Sequence, residues 1–170
     1  MNSIDLLKKQ HGEVNSLFQR MEKGGDPETF QHLFSQVYQA LTAHTIIEEE
    51  YFYPALRNNA DTARLVKDYH HEHGQVKQML SQIASLDNAS QEWSDRMTAL
   101  MKAVQKHVAE EENDLFPKVS KLWDDQKLNE NGQHLEAAFS KLKEGMTEPG
   151  NMVGMMGVEN AVDQSQQATS

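Results

Sequence analysis

Histidine and glutamate recur in this chain in a fixed order: His11, then His44 with Glu48, then His73, then His107 with Glu111. Their neighbours recur with them. His11-Gly12-Glu13-Val14 is matched by His73-Gly74-Gln75-Val76, and the run from His44 through Glu48 to Tyr53-Pro54 is matched by the run from His107 through Glu111 to Phe116-Pro117. Within each H-x-x-x-E the two side chains stand about 40° apart around a helix axis and one turn along it, so both reach the same interior point. Imidazole and carboxylate in this order are the donors that hold a pair of transition-metal ions inside a four-helix bundle.

The periodicity around these residues is helical. Ile4, Leu7, His11, Val14, Phe18 and Met21 mark one face of a first helix; Phe30, Phe34, Val37, Leu41, His44, Glu48 and Tyr51 mark a second. Val66, Tyr69, His73, Val76, Leu80 and Ile83 mark a third, and Trp93, Met97, Leu100, Val104, His107, Glu111 and Leu115 a fourth. Breaks fall at Gly24-Gly25-Asp26-Pro27, at Asn58-Asn59-Ala60-Asp61 and at Asp87-Asn88-Ala89-Ser90, all rich in turn and capping residues. Connections this short favour antiparallel neighbours. Residues equidistant from such a turn lie side by side. The midpoint of His11 and His44 falls beside Pro27, that of Glu48 and His73 within Asn58 to Asp61, and that of His73 and His107 at Ser90. The sequence therefore predicts an all-α, antiparallel, up-down-up-down four-helix bundle over residues 1–125 with six donors in one layer of its core.

Glu48 and Glu111, four residues after a histidine, are the carboxylates the repeat selects; the adjoining Glu49, Glu50, Glu110 and Glu112 read as solvated or salt-bridged. One histidine on an apolar face is usually a core residue satisfied by hydrogen bonds. Six polar groups in one layer are different, because burying two carboxylates and four imidazoles without cations costs several kcal/mol per ion. With no cysteine there is no thiolate site, disulfide or cysteine-ligated cluster, so any metal is held through nitrogen and oxygen. The balance of 26 acidic against 16 basic residues, a formal charge of −10, repels phosphate backbones and argues against a nucleic-acid partner. No apolar run approaches a membrane span, and the first ten residues lack a signal-peptide core; a cytoplasmic protein with no membrane partner is expected.

The motifs carried by His11, His44 with Glu48, His73, and His107 with Glu111, together with Tyr53-Pro54 and Phe116-Pro117, resemble those of the hemerythrin-like family, specifically its HHE cation-binding domains, over about residues 3–120. The resemblance implies a non-haem di-iron centre, oxo- or hydroxo-bridged, in which Glu48 and Glu111 bridge the irons and the histidines cap them. It also implies dioxygen, or a related peroxide or diatomic molecule, as the ligand. The chain departs from the oxygen-carrying hemerythrins in lacking their second histidine on the third helix and in having H-x-x-x-E where they have H-x-x-x-x-D. Tyr69, four residues before His73 and on the stripe, is the candidate for the missing histidine's role, either contacting a metal-bound ligand or serving as a plain core aromatic. His70 is a reserve ligand; His71, His32 and His134 read as surface residues.

Four imidazoles, two bridging carboxylates and one oxygen bridge fill about ten of roughly twelve positions on two six-coordinate irons, which leaves about two for exogenous ligands. Sensing, peroxide- or nitric oxide-related redox activity and iron handling follow as functions. A metal-storage module without turnover and a metal-free helical interaction protein are the alternatives, and manganese or zinc suits the same donors. Gly12 and Gly74 suggest close helix approach or a ligand channel, with accident as the rival explanation. Pro54 and Pro117 should kink or end their helices. Residues 126–146 form a further helix through Leu128, Leu135, Phe139, Leu142 and Met146, whose apolar side either folds back on the bundle or pairs two copies as a homodimer. Residues 147–170 change to Gly, Met, Gln and Ser without lysine or arginine, the composition of a flexible tail.

Overall fold

The structure is a computed structural model and describes residues 1–146. The tail expected at 147–170 lies outside the described residues. Six α-helices follow one another: α1 (Ser3–Glu22), α2 (Pro27–Ile47), α3 (Ala63–Ala84), α4 (Gln91–Glu110), α5 (Phe116–Leu122) and α6 (Asp125–Met146), with no strand among the described residues. The first four form the bundle, α1 packing along α2 and α3 along α4.

Three of the four bundle helices begin where a side chain caps them, α3 being the exception. The side chains of Asn2, Asp26 and Ser90 accept hydrogen bonds from the backbone N–H of Asp5, Thr29 and Trp93, and Pro27 opens α2 with its φ preset for a helix. Gly24, at φ 83, supplies the left-handed residue that turns the chain out of α1.

Both H-x-x-x-E helices end in a wide π turn, Glu48–Phe52 after α2 and Glu111–Leu115 after α4. The N–H of Tyr53 bonds to the carbonyl of Glu48, and the N–H of Phe116 to that of Glu111. In an α-helix a residue five positions on lies about 140° round the axis; the wider turn carries it back toward the starting face. Glutamate and the following aromatic thus face inward together. Tyr51, expected on the buried stripe, is rotated out by the same turn and is 42% exposed, while Phe52 and Tyr53 are fully buried. The prolines act as expected: Pro54 sits in a 3₁₀ turn (Tyr53–Ala55), and Pro117 opens the short α5.

Of the two roles the sequence leaves to the last helix, α6 takes the first and folds back across α1, α2 and the first π turn. Leu128 and Leu135 join a core built from Leu7, Phe52, Phe116 and Trp123. A second apolar core, with Phe18, Phe34, Ile83, Trp93 and Leu100, fills the opposite end of the bundle. The six histidines and glutamates occupy the layer between. At Gly132, α6 crosses the N-terminal segment so closely that a Cβ would run into the carbonyl of Met1, so only glycine fits. Gly12 and Gly74 show no such constraint, since a Cβ at either meets nothing within 4 Å; the close approach that the sequence suggested there is absent.

Candidate metal centre

α1 presents His11, α2 His44, α3 His73 and α4 His107; the π turns add Glu48 and Glu111, and all six side chains are buried. They form two overlapping groups, His11, His44, Glu48 and Glu111 in one and Glu48, His73 and His107 in the other. The Nε2 atoms face each other in pairs, His11 to His44 at 3.2 Å and His73 to His107 at 3.1 Å. Glu48 spans the pairs, with Oε1 3.3 Å from His44 Nε2 and Oε2 3.3 Å from His73 Nε2. Glu111 does the same through Oε2, 3.3 Å from His11 and 3.8 Å from His107.

The outer nitrogens of the rings fix what the inner ones can be. His11 Nδ1 lies 2.8 Å from Glu112, His73 Nδ1 3.1 Å from Glu49, and His107 Nδ1 2.8 Å from Glu72. A carboxylate has no proton to give, so each Nδ1 must donate, and the neutral ring then turns an Nε2 lone pair inward. His44 Nδ1 meets the amide oxygen of Gln10 at 2.8 Å in the same way. Lone pairs and carboxylate oxygens thus converge on one enclosed volume. Buried Glu48 Oε1 and Glu111 Oε2 face only a histidine Nε2 at 3.3 Å, which carries no proton in the neutral ring, a costly arrangement unless a cation or a proton lies between them. The donor set fits two N/O-coordinated metal ions.

Protons are the substitute when cations are absent. Burial drives Glu48 well above the usual carboxylate range, and the charge of Glu111 drives it further. At His11 burial works against the charged ring, but the hydrogen bond and charge of Glu111, with Glu48 and Glu112, raise it to about 9. For Glu111 burial is outweighed by the hydrogen bond from His11 and by the neighbouring histidines, which hold it at about 2. His44 is pushed well below its ordinary value by burial and by His11, and is therefore a neutral donor at pH 7.

The sequence reading missed five participants. Gln10, Glu49, Glu72 and Glu112 orient the four buried histidines, although Glu49 and Glu112 read as merely solvated or salt-bridged; Lys77 bridges to Glu49 at 3.1 Å and Lys106 to Glu72 at 3.1 Å. The fifth is Tyr53. Its hydroxyl donates to Glu111 Oε1 at 2.9 Å and lies 3.4 Å from Glu48 Oε2 and 3.5 Å from His73 Nε2, and its ring stacks on His73. Phe116 is its counterpart, stacked on His11. A signal was present: both aromatics stand five residues after the glutamate, Glu49 and Glu112 stand one after it, and Gln10 and Glu72 stand one before the lone histidines. Tyr69 lies edge-on to His107, buried, and its hydroxyl has no hydrogen-bond partner among the described residues. His70 stays on the surface, 61% exposed, beside Glu49.

A model of the hemerythrin HHE cation binding domain matches residues 2–119. The chain belongs to that family. Among curated HHE-type relatives, an uncharacterized hemerythrin-like protein of Schizosaccharomyces pombe is 26% identical over 82% of this chain and 68% of its own length. A Nostoc protein named a DNA nickase is 32% identical over 85% of this chain, which spans only 41% of that relative's length. A crystal structure of an HHE cation binding domain-containing protein from Mycobacterium kansasii superposes with a TM-score of 0.75, at 24% identity, over 85% of this chain and 88% of the other, and shares the fold of this HHE domain.

Proposed function

We propose that this HHE domain holds two iron ions and binds dioxygen, peroxide or nitric oxide at them, in sensing, detoxification or iron handling. One observation carries the reading: four inward Nε2 atoms and two spanning carboxylates converge, with their outer hydrogen bonds leaving the donor lone pairs free for cations. Bound iron would supply Lewis acidity and one-electron redox chemistry. His11, His44 and His73 with His107 would hold the ions, and Glu48 and Glu111 would bridge them. Glu49, Glu72, Glu112 and Gln10 keep each ring in the correct tautomer. Tyr53 fixes the orientation of Glu111 and keeps a proton at the centre, since burial and the charges of Glu111 and Glu48 raise its pKa well above the ordinary phenol value. Tyr69, whose ring stands edge-on to His107 and whose hydroxyl has no hydrogen-bond partner among the described residues, is proposed to hold that ring in place from the side opposite the small cavity.

The test is metal analysis with absorption spectra of protein purified without chelator, reduced and then exposed to air. Two irons per chain with an oxo-bridged spectrum that changes on adding peroxide or nitric oxide is the expected result. Iron that is loosely held and unreactive would favour storage, and zinc or manganese alone would remove the di-iron reading. The name of the Nostoc relative raises nucleic acid as a partner, but a net charge of −10 gives phosphate little purchase here. Iron-loaded protein incubated with supercoiled plasmid and a radical scavenger should leave the plasmid intact.

A further inference from the structure

The two halves of the repeat treat their open seams differently. α1 meets α4, and α2 meets α3, at only a few points, so each seam runs past one ligand histidine and its outer glutamate. Across the α2–α3 seam Lys77 is bonded to Glu49 at 3.1 Å, and His70 lies 3.4 Å from the same carboxylate. In the repeat, Asn15 stands where Lys77 stands, four residues after the lone histidine, and Glu112 where Glu49 stands. No hydrogen bond or ion pair joins Asn15 to Glu112. Instead the α1–α4 seam holds a groove of about 310 Å³ whose walls include Asn15, Glu112, Val14, Val104 and Val108, and whose floor reaches His11.

Behind that floor is a second space. A cavity of about 20 Å³, lined by all four ligand histidines, shares His11, Val14, Val104 and Val108 with the groove. It is the size of a water molecule or a diatomic, and its walls away from the rings are chiefly aliphatic, which suits a small uncharged molecule better than an ion. Three valines therefore separate outer groove from inner cavity, and Val108 is only half-buried. Val108, the least buried of the three, has a short side chain, so a small outward shift of α4 there opens a gap without unfolding a helix.

We propose that the α1–α4 seam is the entrance by which small uncharged ligands reach the centre, with Val14, Val104 and Val108 as its gate, and that the Lys77–Glu49 pair keeps the matching α2–α3 seam shut. The proposal rests on the ligand-binding reading above and adds the route. Two variants of the full, iron-loaded chain test it. Asn15→Lys copies the tie of the closed seam onto the open one, and Val108→Phe fills the gate. Reduced protein is mixed with nitric oxide without air, and association and dissociation rates are followed by absorbance alongside iron content. A gate scales both rates together, so each variant should slow association and dissociation by roughly tenfold while the equilibrium constant stays within about twofold. Unchanged rates in variants that keep both irons overturn the route, as does a slowed association matched by a weakened equilibrium affinity, which marks damage to the centre itself. If the unmodified iron-loaded protein binds no nitric oxide, the functional reading fails first and the entrance with it.

Discussion

At the scale of single residues, the phenol at the centre is Tyr53, while the sequence drew attention to Tyr69. A stripe drawn at α-helical period passes through Tyr69 and misses Tyr53, because the π turn that delivers Tyr53 breaks the period on which the stripe depends. The six ligand candidates were legible for the opposite reason: each stands on an unbroken helical stripe or one turn from it. Tyr53→Phe should keep the ring stacked on His73 and strip Glu111 Oε1 of its donor, costing the metal-free fold about 1–3 kcal/mol in a denaturant titration. The protonation of His11 gives a second expectation. Its pKa is raised to about 9 from 6.5, so the proton stabilises the metal-free fold fully below about pH 6.5, and that contribution is lost as pH rises through about 9. The raised carboxyl of Glu48 acts in the same direction. Cations displace the His11 proton, so metal loading near pH 7 should release about one proton per chain into a weak buffer, and apparent affinity should climb with pH and level off above about 9.

At the scale of elements, the helices and their turns were readable because caps, glycine and proline stand at nearly every boundary, whereas the π turns carry no such punctuation beyond a proline six residues after each glutamate. The packing of α6 was undecidable from its own apolar side, since a bundle and a second subunit offer an amphipathic helix the same burial. Gly132, on the contrary, marks the crossing, and no period of apolar residues announces it. Gly132→Ala sets better helix propensity, about 1 kcal/mol, against overlap with the Met1 backbone, and overpacking of about 1–3 kcal/mol should win. Gly74→Ala has the propensity gain and open space, so it should stabilise by up to about 1 kcal/mol. Thermal melts of the two variants should therefore shift in opposite directions.

At the scale of the whole molecule, two apolar cores are joined by a tier of ionisable groups, and hydrophobic burial holds the ends far better than the waist. A cation that binds only the folded chain adds stability by mass action, about 2.7 kcal/mol at a hundred times its dissociation constant, so the melting temperature should rise with metal and fall back on chelation. Amide exchange at 44–48 and 107–111 should quicken in the stripped protein while the hydrophobic ends stay protected. Stripped of its cations, the protein would keep two firm ends around a soft middle rather than become an unravelled chain. Whatever in the cell senses that softness, a protease or a neighbouring molecule, would be reading the local supply of metal.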